Sequence, residues 1–136
     1  MRYTPDNITH LDQDEIFVFG SNLQGLHSGG AALVARTKFG AEPGVGDGPT
    51  GRCYAIPTMQ GGIDTIKPYV DRFLDYAYEC DQNTFLVTRI GCGIAGFTDC
   101  EIAPLFRRAL DMYNVVLPKS FIDCLRAMSG STSVNK

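Results

Sequence analysis

Two stretches of the chain carry the residue types that chemistry needs. Gly20-Ser-Asn-Leu-Gln-Gly-Leu-His-Ser-Gly-Gly30 sets Asn22 and His27 among glycines, and Gly91-Cys-Gly-Ile-Ala-Gly-Phe97 sets Cys92 among them. Exposed backbone N–H groups in such a loop, with the positive end of a helix just behind them, hold phosphate or another anion without any cationic side chain. Gly20, Ser21, Asn22, Ser28, Gly29 and Gly30 are therefore candidate ligand contacts on one side. Gly91, Cys92, Gly93, Ile94, Ala95, Gly96 and Phe97 are their counterparts on the other. The same glycines also have a packing use, since Gly29 and Gly30 let a helix lie close on a strand. An imidazole at His27 is suited to general-base catalysis near neutral pH, while a lone loop histidine equally serves as a surface or contact residue. Asp47 can swing over a ligand or stay solvated. Asp99 reads most simply as a helix-start residue. Cys92 stands where N–H groups can stabilise a thiolate, although a phosphate loop needs only a small residue there.

The elements that must position these residues alternate. Residues 3–14 are polar and turn-rich and allow at most a short lead-in strand before the apolar run 16–19. Residues 29–39 read as a helix with Leu33, Val34 and Ala35 inside and Gly40 as its stop. Segment 41–51, with four glycines and two prolines, reads as a loop long enough to be a lid or a specificity loop. A strand over 52–56 stops at Pro57. Pro68 suits the first turn of a helix in which Val70, Phe73, Leu74 and Ala77 recur at helical spacing. Residues 84–90 are the best-defined strand, apolar enough to be covered on both faces. Thr98-Asp-Cys-Glu101 forms a capping box for a helix through Leu110, irregular near Pro104. A short strand over 114–117 and a helix over 121–128 follow, with 129–136 as a flexible tail. This order predicts an α/β fold, one domain over 1–128, with a mixed, largely parallel sheet and helices on both faces.

Loops leaving the carboxyl ends of neighbouring strands line one crevice, so the two glycine loops can grip one ligand from two sides, and two opposed nests of N–H groups suit a diphosphate. The second loop also matches G-x-G-x-x-G, the fingerprint of dinucleotide oxidoreductases. In that fold the fingerprint opens a run of βαβ units, whereas here only one helix, one strand and a tail follow it.

Composition narrows the classes. A chain of 136 residues suits one domain that buries roughly two-thirds of its unfolded surface. Its 44% hydrophobic and 20% charged content is ordinary for a globular protein. No apolar run approaches the ~20 residues of a membrane span. Met1-Arg-Tyr-Thr-Pro-Asp lacks an apolar secretory core, which sets a cytoplasmic location as the expectation. The five cysteines are scattered without metal-finger spacing and read as buried reduced thiols. With two histidines, a His-based metal centre is not expected, and no cofactor is implied. A formal charge of −3 disfavours general binding to nucleic-acid backbone.

The order Asn7-Ile-Thr, Phe17-Val-Phe-Gly-Ser-Asn22, Leu26-His-Ser-Gly-Gly-Ala-Ala32, Tyr54-Ala-Ile-Pro57 and Ile90-Gly-Cys-Gly-Ile-Ala-Gly-Phe97 resembles the macrodomain pattern. The likeness is to the compact macro-like proteins of bacterial and phage genomes, and it spans roughly residues 5–118. It implies a three-layer α/β/α sandwich and a ligand that is ADP-ribose or a relative. It further implies that Asn22 contacts the distal ribose, that 28–30 and 91–96 clasp the phosphates, and that Phe97 packs on the distal ribose; a core role for Phe97 stays open. Asn7 stands where the family carries an acidic residue for the adenine amino group, and its carbonyl can accept the same hydrogen bond. Ala31-Ala32 stand where hydrolytic members carry an acid. The resemblance thus implies binding of ADP-ribose or a derived nucleotide, or of an ADP-ribosylated macromolecule. The alternatives are an ADP-ribosyl hydrolase or ADP-ribose phosphate phosphatase using His27 or Asp47 as base, and a phage-type sponge for signal nucleotides made from NAD.

Overall fold

The seven-residue strand β1 (Glu15–Ser21) has partners on both sides and is buried along nearly its whole length. The computed structural model describes residues 2–27 and 29–134, the last six by backbone alone. On one edge β1 pairs in parallel with β3 (Cys53–Pro57), on the other with β4 (Thr84–Val87), and β4 pairs in parallel with β5 (Val115–Val116). The antiparallel strand β2 (Gly48–Thr50) completes a five-stranded mixed sheet in the order β2-β3-β1-β4-β5. Four α-helices accompany it among the described residues: α1 (Gly30–Lys38), α2 (Ile63–Glu79), α3 (Asp99–Ile102) and α4 (Lys119–Val134), with a 3-10 stretch over Ala103–Asp111 between the last two. The chain is α/β, as its alternation predicts.

Successive side chains of a strand point to opposite faces, and the strands here supply two separate apolar clusters. Phe17, Phe19, Cys53, Ala55, Leu86 and Val116 meet Ala32, Ala35 and Phe39 of α1 and its cap. Their neighbours Val18, Tyr54, Ile56, Phe85, Val87 and Val115 meet Val70, Phe73 and Leu74 of α2, Phe106 of the 3-10 stretch and Phe121 of α4. Phe73 is the hinge of the second cluster, with Tyr54, Phe85 and Phe106 rings at 5.0, 5.6 and 6.3 Å. Burying each such side chain contributes about 1.5–3 kcal/mol.

Local departures from the sequence reading have local causes. The segment 41–51 is not a free lid. Its end is β2, which turns through Gly51 at φ +56° into β3, and Pro49 faces solvent on the sheet edge. Its middle lies backbone against backbone on the first glycine loop: the Gly44 N–H donates to the Gly25 carbonyl at 3.0 Å, and a Cβ on Gly46 would stand 1.8 Å from the Asn22 carbonyl oxygen. Helix α2 starts five residues before Pro68 rather than at it, because Gly62 and Ile63 open the turn and a proline inside the first turns removes only one hydrogen bond. The apolar run 84–90 stops as strand at Val87. The Thr98–Glu101 capping box forms in both directions, and Pro104 stands at the start of the 3-10 stretch rather than inside a continuing α-helix. Thr4 makes a bridge with Pro118, the short lead-in allowed for residues 3–14. The last helix outruns the expected 121–128, and the tail expected over 129–136 concerns side chains, and at 135–136 backbone, outside the described residues. No helix among the described residues is long and apolar enough to cross a membrane.

The expectation of reduced thiols fails for one pair: Cys100 and Cys124 form a disulfide between α3 and α4, with Cα atoms 5.4 Å apart. Sequence spacing gives no means of seeing this, since the topology alone brings the two helices together. Cys53, Cys80 and Cys92 are free, and burial pushes the Cys53 thiol up to about 12. Closing a loop of this length removes unfolded-state entropy worth about 3 kcal/mol. Urea unfolding in the presence of a thiol reductant, or of Cys100→Ala with Cys124→Ala, is expected to show a loss of about that size. An unchanged midpoint would mean the bridge adds nothing to stability.

Candidate functional site

Because β1 and β4 are parallel neighbours, the two glycine loops leave the same edge of the sheet side by side. A Cβ on Gly20 would stand 3.4 Å from the Gly91 nitrogen, and one on Gly29 would stand 3.8 Å from Ile94 Cδ1. Two clefts open there. The larger, about 820 Å³, is lined by Asp6, Asn7, Ile8 and Lys38; the smaller, about 310 Å³, by Ser21, Asn22, Leu26, Met59 and Ile94 among others. They share Gly30, Ala31, Thr88, Arg89 and Gly93, which form a neck between them.

The neck is rich in unused donors. Residues 30–32 open α1, where the first N–H groups have no partner within the helix. Across from them, the amides of Gly93, Ile94 and Ala95 donate to no acceptor among the described residues, while Gly96 and Phe97 donate back to the Gly93 and Gly91 carbonyls at 3.0 and 2.8 Å. Gly93 itself has no need to be glycine for the chain's sake: a Cβ there meets nothing within 4 Å, and its φ is ordinary. Gly30, at φ +58°, does need to be glycine.

One charged side chain reaches both clefts. Arg89 donates from Nε and Nη2 to the two oxygens of Asp99, each at 2.8 Å, and Asp99 Oδ1 also accepts from the Ser120 hydroxyl at 3.0 Å. The fork geometry fixes the guanidinium plane and leaves its remaining N–H groups for an anion. Arg89 escapes a sequence reading that looks for anion sites in glycine amides. The usable signal is a Thr-Arg pair at the strand end immediately before the loop. Thr88 and Thr58 also face the smaller cleft, with their hydroxyls donating to the Val18 and Ser21 carbonyls.

The candidate bases are elsewhere. His27 is 2% exposed, its ring edge-on to Phe19 at 5.2 Å, and its Nε2 donates to the Val45 carbonyl at 3.1 Å. It is a strut between the first loop and the segment 42–47, and it lines neither cleft. Asp47 ion-pairs with Arg72 of α2 and also lines neither. Asn22 lines the smaller cleft, but its carboxamide closes its own loop: Oδ1 accepts from the Leu26 N–H at 3.0 Å, and Nδ2 donates to the Leu26 carbonyl at 3.2 Å. One N–H and one lone pair of that amide remain for a ligand.

Phe97 is half-buried, packs against the core cluster that contains α2, and lines neither of the two clefts; Gly96 is also outside both. Asn7 is exposed in the larger cleft. Ser28 lies outside the described residues. No group of three or more His, Cys, Asp or Glu able to hold a metal ion occurs among the described residues.

Burial, with the Asp99 carboxylate beside it, pushes the Cys92 thiol up to about 11, so a thiolate is not available at neutral pH. Alkylation of Cys92 by iodoacetamide is expected to be far slower than that of a free thiol at pH 8, followed by mass spectrometry; fast labelling would overturn this. Asp99 lies below its ordinary value, first because Arg89 hydrogen-bonds it and then because Ser120 does, against a raising effect of burial. Its folded value is thus depressed, and the stability it contributes is present above about pH 4 and lost as the pH falls through the folded value. The wild type is expected to lose its advantage over Asp99→Asn in denaturant midpoints between pH 6 and about pH 2. A gap that persists in acid would assign Asp99 another role.

Compared with known proteins, the chain matches no family model, no curated protein and no solved structure.

Proposed function

We propose that the chain is a macro-like domain that binds ADP-ribose or an ADP-ribose-derived nucleotide. The observation that carries this reading is the pair of clefts joined at a neck of unpartnered amides and Arg89. A molecule laid through both clefts has two bulky ends and an anionic middle, and a diphosphate between two nucleoside-like groups has that form. Adenosine takes the larger cleft, with Asp6 and Asn7 as acceptors for its amino group, and the distal ribose takes the smaller one beside Asn22. The two apolar clusters, one with α1 and one with α2 and α4, support a three-layer α/β/α arrangement.

Binding is favoured over turnover. Among the described residues lining the smaller cleft there is no Asp, Glu or His to activate water, Ala31 and Ala32 stand at its wall, and His27 and Asp47 are engaged elsewhere. A protein that holds its ligand intact also suits the sponge reading for NAD-derived nucleotides.

Calorimetry with ADP-ribose, AMP and adenosine is expected to rank them in that order, as the phosphate neck is progressively emptied. Absence of binding by all three would end this reading. Gly93→Val fills open ligand space without touching the fold, and is expected to abolish binding at an unchanged melting temperature. Arg89→Gln is expected to weaken ADP-ribose by about tenfold, the scale of one charge-assisted hydrogen bond.

A further inference from the structure

Exposed aliphatic side chains on this protein are concentrated at one place. Leu23, Leu26, Met59 and Ile94 are 44%, 66%, 46% and 79% exposed, and among the described residues only Leu110 is a comparably exposed aliphatic elsewhere. Leu26, Met59 and Ile94 come from three separate segments, the first loop, the turn after β3 and the second loop, yet all three line the smaller cleft. Singly exposed apolar residues need no explanation, but three converging from distant sequence positions on one concavity form a surface built to be covered.

The polar side chains of that cleft are already partly engaged within the protein, which leaves its open donors to the backbone amides of Gly93, Ile94 and Ala95. The Ser21, Thr58 and Thr88 hydroxyls donate to backbone carbonyls, and the Asn22 amide is half spent on its own loop. Among the described residues lining the cleft, the single charged one, Arg89, stands at the neck. A free sugar hydroxyl group directed at Leu26 or Met59 loses water without gaining a partner. An uncharged flat or apolar group in the same place covers the three side chains and loses nothing.

We infer that the smaller cleft is a subsite for an uncharged apolar or aromatic substituent carried on the distal sugar of a nucleoside diphosphate sugar, so that the preferred ligand is a substituted dinucleotide rather than ADP-ribose itself. This rests on the nucleotide-binding reading above and narrows it. No bond is made or broken.

NADH is a suitable probe, since its reduced nicotinamide is uncharged and fluorescent. The wild type is expected to bind NADH about tenfold more tightly than ADP-ribose by competition calorimetry. The emission of bound NADH is expected to shift to the blue. Leu26→Ser with Met59→Ser is expected to bring the two affinities together by weakening NADH alone. Equal or tighter binding of ADP-ribose by the wild type, or bound NADH that keeps the emission of free NADH, would overturn the subsite while leaving the nucleotide site standing. Binding of neither would overturn both.

Discussion

Everything in this molecule depends on β1 being paired in parallel on both edges. Parallel pairing sends the carboxyl ends of β1, β3, β4 and β5 to one side of the sheet, so whatever follows β1, β3 and β4 is delivered to the same crevice. The approach of Gly20 to the Gly91 nitrogen is the tightest expression of this, because a larger residue at Gly20 would press on Thr58 Oγ1 and the start of the second loop. The sheet could not be slipped by one residue without turning Phe17 and Phe19 away from α1 and Val18 away from α2. Position of the loops and burial of the core are one constraint.

Much of this framework is legible in the residues. Phe17, Val18 and Phe19 mark the central strand, Val70, Phe73, Leu74 and Ala77 mark a helix, and Thr98 with Glu101 marks a helix start, because in each case the signal is local and the tertiary burial agrees with it. The extent of α2 is less legible, since Pro68 signals a helix start and tertiary burial of Ile66 overrides it. The Cys100–Cys124 bridge is invisible because its two helices meet only in the tertiary fold, whereas β2 is a three-residue hairpin arm of β3 hidden by the glycines and prolines around it.

The site divides in the same way. Gly30 and Gly93 are found by a sequence reading because glycine is informative about the backbone. His27 and Asp47 stand outside both clefts and Asn22 is half engaged within its own loop, because their chemistry suits two uses, contacting a ligand or holding loops together, and a sequence does not show which partners are within reach. Val45 and Arg72, distant in sequence, are the partners of His27 and Asp47, and Leu26, four residues on, is that of Asn22. The polar residues that look most reactive here are consumed in making the first loop and the segment 42–47 rigid, and a rigid wall favours recognition of a fixed shape.

The outer strands have a consequence for how the protein meets its own copies. On one side Pro49 sits in β2 facing solvent and offers no N–H to a further strand; on the other the chain's own Thr4 bridges to Pro118 just past β5. Margins interrupted at these two points offer a neighbour's strand fewer groups to pair with, which works against edge-to-edge growth of the sheet when the protein is crowded.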